Sequence, residues 1–122
     1  MHVVLVVEDD FDIRATMCEA LDESGYTAVP AANGAEALEY LRSDKERPCL
    51  ILLDLMMPVM DGQTFRAEQL ADSELSKIPT VVISAYRDVE RYANELSTEF
   101  LAKPVRLEQL LETARKHCDV VA

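Results

Sequence analysis

Apolar residues along this chain fall into two patterns that alternate. Val3-Val4-Leu5-Val6-Val7, Leu50-Ile51-Leu52-Leu53 and Thr80-Val81-Val82-Ile83 are short runs with no polar alternation, most of them rich in β-branched side chains. Such runs predict strands covered on both faces, as in a parallel sheet. Thr27 to Pro30 and Glu99 to Ala102 are weaker strand candidates. The intervening segments carry helical spacing. Ile13, Met17, Ala20 and Leu21 share one face, with Arg14, Glu19, Asp22 and Glu23 largely outside it and Gly25 as a stop. Ala35 to Leu41 places Ala37, Leu38 and Leu41 inward. Asn33-Gly34 alone suits a hairpin turn, but the strong helix formers that follow make it a helix start. Gln63 to Leu70 follows Asp61-Gly62, and Leu107, Leu110, Leu111, Ala114 and Cys118 form the last stripe.

The resulting order is strand then helix, five times. It predicts an α/β fold, a five-stranded parallel sheet with right-handed crossovers and helices on both faces. In such sheets ligands bind beyond the carboxyl ends of the strands. Polar residues stand at those ends: Glu8-Asp9-Asp10 after the first strand, Asp54 after the third, Ser84 after the fourth, Lys103-Pro104 after the fifth. Asp54 interrupts an otherwise apolar stretch, LILLDLMMPVM, where a charge is costly unless paired or metal-bound.

These groups define a chemistry. At an effective dielectric of 20 and about 5 Å spacing, each pair among Glu8, Asp9 and Asp54 repels by roughly 3 kcal/mol. A divalent cation answers that repulsion, and hard oxygen ligands select Mg²⁺ over zinc. Lys103 supplies a positive charge for a phosphoryl oxygen, and the Ser84 hydroxyl can donate to another. Phosphoryl transfer needs mainly positioning and charge stabilisation, so Asp54 can serve as nucleophile and become an aspartyl phosphate. Asp10 is expected to cap the first helix instead.

Length and composition narrow the function. The 122 residues suit one domain, 1–122, and a core that needs no staples. Twelve basic against 23 acidic residues give a formal charge of −11, which argues against direct nucleic-acid binding. The amino-terminal run lacks the basic start of a signal peptide, and no apolar run is long enough to span a bilayer. A cytoplasmic location with no membrane contact is expected. Cys18, Cys49 and Cys118, odd in number and without a CxxC pair, are expected as reduced thiols.

Four segments together resemble the receiver domain of bacterial two-component response regulators, over essentially the whole chain. VLVVEDD resembles the family's acidic pair, LLDLMMPVMDG its phosphoacceptor segment, VVISA its hydroxyl position and FLAKP its lysine-proline. The resemblance implies a flavodoxin-like (βα)5 sandwich with strand order 2-1-3-4-5. It implies that Asp54 is phosphorylated and that Mg²⁺ is held by Glu8, Asp9, Asp54 and the backbone carbonyl of Met56. Lys103 and Ser84 then assist the reaction, Ser84 and Phe100 act as switch residues, and the Lys103-Pro104 bond is cis. Tyr86, close to the hydroxyl position, is expected to shield the phosphate from water.

The implied partners are a histidine kinase or phosphotransfer protein as donor, and a downstream protein or output domain as reader. The implied reading surface is the fourth helix, strand five and the fifth helix, which could also form a dimer. The Ser84–Lys103 interval is short for the family, so the fourth helix, within RDVERYANELSTEF, is expected to be short or irregular. The resemblance implies a signalling phosphoacceptor with only intrinsic self-phosphorylation and autodephosphorylation, not a dedicated enzyme. A phosphorylation-independent pseudo-receiver, acting as an interaction module, is the alternative. Met56 stands where a haloacid-dehalogenase-type phosphatase needs its second acid, and EDDFD offers carboxylates where flavin phosphate needs donors. No linker follows the last stripe, which leaves both a single-domain regulator and part of a longer chain open.

Overall fold

The computed structural model describes residues 2–55, 60–85 and 99–118. Five strands, β1 (Val3–Val7), β2 (Thr27–Ala31), β3 (Leu50–Asp54), β4 (Thr80–Ala85) and β5 (Glu99–Lys103), form one sheet in the order β2-β1-β3-β4-β5. Every neighbouring pair is parallel. The helices α1 (Phe11–Glu23), α2 (Gly34–Leu41), α3 (Gly62–Ala71) and the last helix (Leu107–Cys118) cover it, with a short 3-10 turn at Leu75–Lys77. This is the parallel α/β sheet that the apolar pattern predicts, in the flavodoxin-like strand order that the family resemblance implies.

The apolar runs are buried on both faces, as their lack of alternation requires. Val4, Val6, Leu50, Leu52, Val81 and Ile83 point to a core layer shared with Met17 and Leu21 of α1 and Leu110 and Ala114 of the last helix. Leu5, Val7, Ile51 and Leu53 point the other way, against Leu38 and Leu41 of α2 and Phe65 of α3. Pro30 in β2 lies opposite Val6. Its missing N–H is tolerated because β2 is an edge strand.

Helix starts are set by side-chain caps. The carboxylate of Asp10 accepts from Ile13 N at 3.0 Å, the Asn33 carbonyl from Glu36 N at 2.9 Å, and Asp61 from Thr64 N at 2.8 Å. Asn33-Gly34 therefore opens a helix, and Asp10 is a cap. Past the end of α1, Gly25 takes φ 95°, a left-handed conformation that glycine adopts without Cβ strain.

Two expectations are corrected, and one buried charge joins them as a finding that the sequence did not raise. Ile13 and Leu107 stand at helical core spacing, yet they are 40% and 47% exposed, because both face an open groove between α1 and the last helix. Arg66 on α3 is buried, which its charge did not suggest. Its guanidinium donates to Gln69 Oε1 at 2.8 Å and Thr80 Oγ1 at 3.3 Å, tying α3 to β4. Finally, Cys49 and Cys118 are not free thiols but a disulfide, with Cα atoms 5.2 Å apart. The fold lays the end of the last helix beside the start of β3, a proximity that a sequence separation of 69 conceals. Cys18 remains free. The segment expected to hold the fourth helix lies outside the described residues, apart from Glu99 and Phe100 in β5. Among the described residues no helix is long and apolar enough to cross a membrane.

Candidate functional site

Parallel strands deliver their carboxyl ends to one edge of the sheet, and the polar residues gather there. The amide of Glu8 donates to Ala31 O at 3.0 Å, extending the β1–β2 ladder by one step, so its side chain leaves from a fixed backbone. Asp54 closes β3 opposite Ile83, Ser84 follows on β4 opposite Ala102, and Lys103 ends β5 opposite Ala85. Ser84 and Lys103 therefore stand one and two residues beyond the level of Asp54 on the next two strands.

Carboxylate oxygens of Glu8, Asp9 and Asp54 lie within 4.8 Å of one another. Glu8 and Asp54 are buried, each 2% exposed, whereas Asp9 faces solvent. The Lys103 ammonium sits 3.0 Å from Glu8 Oε1 and 3.4 Å from Asp54 Oδ1. Burial first, then the hydrogen bond and charge of Glu8, push the Asp54 carboxyl up from an ordinary 3.8 to about 8, with Lys103 opposing and Asp9 adding to the rise. At Lys103 burial pulls the pKa down, but Glu8 and Asp54 outweigh it and the net direction is upward. Once Asp54 ionises, one ammonium does not neutralise the three carboxylates. The all-oxygen donor set, open to solvent at Asp9, fits a hard divalent cation such as Mg²⁺.

Two features hold this arrangement. A Cβ at Gly62 would lie 2.7 Å from both Asp54 O and Leu55 Cα, so only glycine lets α3 begin against the end of β3. The Gly62 amide donates to Leu55 O at 3.0 Å, closing the loop that leaves the site. On the other side, Arg14 donates to Glu8 O at 2.8 Å and to Asp9 O at 3.4 Å, fixing the turn that carries both acids. By helical spacing alone Arg14 is only a residue of the solvent face of α1. The available signal was a cation one turn into a helix that follows an acidic pair.

Among the remaining expected residues, Ser84 is buried beside Asp54, and Phe100 on β5 is 43% exposed rather than core. The Lys103-Pro104 bond is cis. Met56 and Tyr86 lie outside the described residues.

Residues 4–115 match the family model described as the response regulator receiver domain. The chain belongs to the response regulator receiver family. This receiver is 32% identical over 119 residues to sporulation initiation phosphotransferase F of Bacillus subtilis, covering 93% of this chain and 91% of that protein. Two other curated relatives are much longer, and the receiver spans 48% of one and 15% of the other. Among solved structures, it superimposes with TM-score 0.79 and 32% identity on the phosphorylated cyanobacterial phytochrome response regulator RcpA, covering 95% of this chain and 91% of that one. The Mn²⁺-bound form of response regulator Rcp1 gives TM-score 0.80 and 28% identity, with coverages of 100% and 98%. Receiver domains are signalling phosphoacceptors and not enzymes in the ordinary sense.

Proposed function

We propose that this receiver accepts a phosphoryl group on Asp54 from the phosphohistidine of a histidine kinase or phosphotransfer protein, and passes the change to a downstream protein or output domain. One observation carries the reading: a buried aspartate at the carboxyl end of β3, with an ammonium 3.4 Å away and two further carboxylates within 4.8 Å. Support comes also from two relatives, one solved phosphorylated and one solved with Mn²⁺.

Glu8, Asp9 and Asp54 are the side chains to hold Mg²⁺, with the Met56 carbonyl as a further ligand. Bound there, Mg²⁺ neutralises the acids and polarises the phosphoryl oxygens. An Asp54 oxygen attacks phosphorus, the P–N bond to the donor histidine breaks, and its imidazole leaves with the bonding electron pair. Lys103, already paired with Asp54, offers its charge to a phosphoryl oxygen, and the Ser84 hydroxyl donates to another. The new charge of about −1.5 to −2 biases Ser84 and Phe100 toward a second arrangement that alters the surface of β5 and the last helix. Tyr86 shields the product from water. Residues 1–122 act as one receiver unit, in the cytoplasm, with no turnover beyond self-phosphorylation and its reversal.

The test is intact-mass measurement after incubation with Mg²⁺ and a small acyl-phosphate donor. A gain of one phosphoryl group is expected in the parent chain, and none in Asp54→Asn or with a chelator. No gain at saturating donor would make the chain a pseudo-receiver that works by binding alone.

A further inference from the structure

We propose that Cys49 and Cys118 form a reversible thiol–disulfide site that fastens the last helix to the central strand of the sheet. The inference goes beyond phosphoacceptance and does not depend on Asp54. Cys49 is the residue before β3, the middle strand in the order β2-β1-β3-β4-β5. Its amide donates to Val3 O at 2.8 Å, so its backbone is built into the sheet. Cys118 is the final residue of the last helix. Their Cα separation of 5.2 Å lies inside the range that disulfides occupy, so neither element has to move to close the bond.

The location gives the bond a consequence. The last helix is otherwise held by the packing of Leu110, Ala114 and Cys118 against the sheet and α1. In its final turn Lys116 and His117 reach Glu99 of β5 at 3.0 and 3.3 Å. His117 adjoins Cys118 and Lys116 lies two residues before it, so the bond fixes the turn that joins the last helix to β5. Opening it leaves that turn held by the buried Cys118 side chain, the His117–Glu99 contact and an exposed Lys116–Glu99 pair, which contributes little.

The two sulfurs differ in access. Cys118 is 1% exposed, whereas Cys49 is half-buried. Attack by a small-molecule thiolate therefore falls on Cys49 Sγ. The S–S bond breaks, Cys118 leaves as thiolate and takes up a proton, and a second thiol resolves the mixed disulfide at Cys49. The net reaction turns one protein disulfide and two small thiols into two protein thiols and one small disulfide. Oxidation is the reverse, with a small disulfide as oxidant. Cys18 is an internal control: half-buried on α1, its thiol is held up by burial and then by Asp22, which disfavours the reactive thiolate.

The experiment equilibrates the full chain with excess oxidised glutathione or with dithiothreitol. The protein is then acid-quenched, alkylated in denaturant and weighed. With three cysteines and one disulfide, one alkylation is expected after oxidation, with Cys49 joined to Cys118 in the peptide map, and three after reduction. Amide exchange on the two forms should show residues 114–118 exchanging about tenfold faster when reduced. Cys49→Ser should show no difference between the two treatments. Three alkylations after oxidation, a bond to Cys18, or equal exchange in both forms of the parent chain would overturn the proposal. Phosphoryl uptake on Asp54, weighed separately, reports on the signalling reading alone.

Discussion

Asp54 is an acid held where its anion is disfavoured, and its titration carries a stability consequence. Its folded pKa of about 8 lies above the ordinary 3.8. The folded protein therefore keeps a proton that the unfolded chain releases. Its contribution to stability is fully present below about pH 4 and is lost as pH rises through about 8. Asn in place of Asp54 removes that loss. In chelator at pH 8.5, Asp54→Asn is expected to be about 1–3 kcal/mol more stable than the parent by urea unfolding, with the difference vanishing near pH 4. The figure is set below the full shift because Glu8 and Lys103 share the same protons and charge. This residue's role was legible, since a lone carboxylate in an apolar run has few structural uses. Arg14 was not, because a sequence marks it only as a charge on a helix, while its bonds to Glu8 O and Asp9 O depend on how the turn closes.

Among the elements, the joint between β3 and α3 decides how Asp54 is presented. Gly62 gives α3 a start that approaches the backbone of Asp54 and Leu55 to 2.7 Å from an added Cβ. Gly62→Ala is expected to cost about 1–3 kcal/mol and to slow phosphoryl uptake, because the atoms that must yield are main chain. Thermal unfolding and the mass assay check the two effects. Loss of stability with normal uptake would mean that Asp54 is positioned by β3 alone. Helices and strands with strong periodicity were readable because caps and burial act locally: Asn33, Asp61 and Asp10 cap as their residue types suggest. The solvent exposure of Ile13 and Leu107 was not readable, since the groove beside them is set by how far α1 stands from the last helix.

At the scale of the whole molecule, two effects act on the folded state as a unit. A cation that binds the assembled acids and not the unfolded chain stabilises by mass action. Mg²⁺ at a hundred times its dissociation constant should add about 2.7 kcal/mol, and substituting Asp9→Asn should reduce that gain. An unchanged melting temperature with and without Mg²⁺ would remove the cation from the site. The second effect is the disulfide, which closes a 69-residue loop. Restricting the unfolded chain to that extent corresponds to about 4 kcal/mol in the chain-entropy model, as an upper figure.

The sequence by itself determined the class of fold and the chemistry at its edge. Apolar runs without alternation demand burial on both faces, and parallel strands so buried deliver whatever ends them to one side. Glu8, Asp9, Asp54, Ser84 and Lys103 therefore belonged together before any coordinates. Tertiary structure decided what depends on distance between elements: the 3.0 and 3.4 Å pairing of Lys103, the burial that raises Asp54, and the meeting of Cys49 with Cys118. Periodicity carries the facing of a residue within its own element. The separation of two elements arises from the packing of every side chain between them, and no local stretch of sequence encodes it.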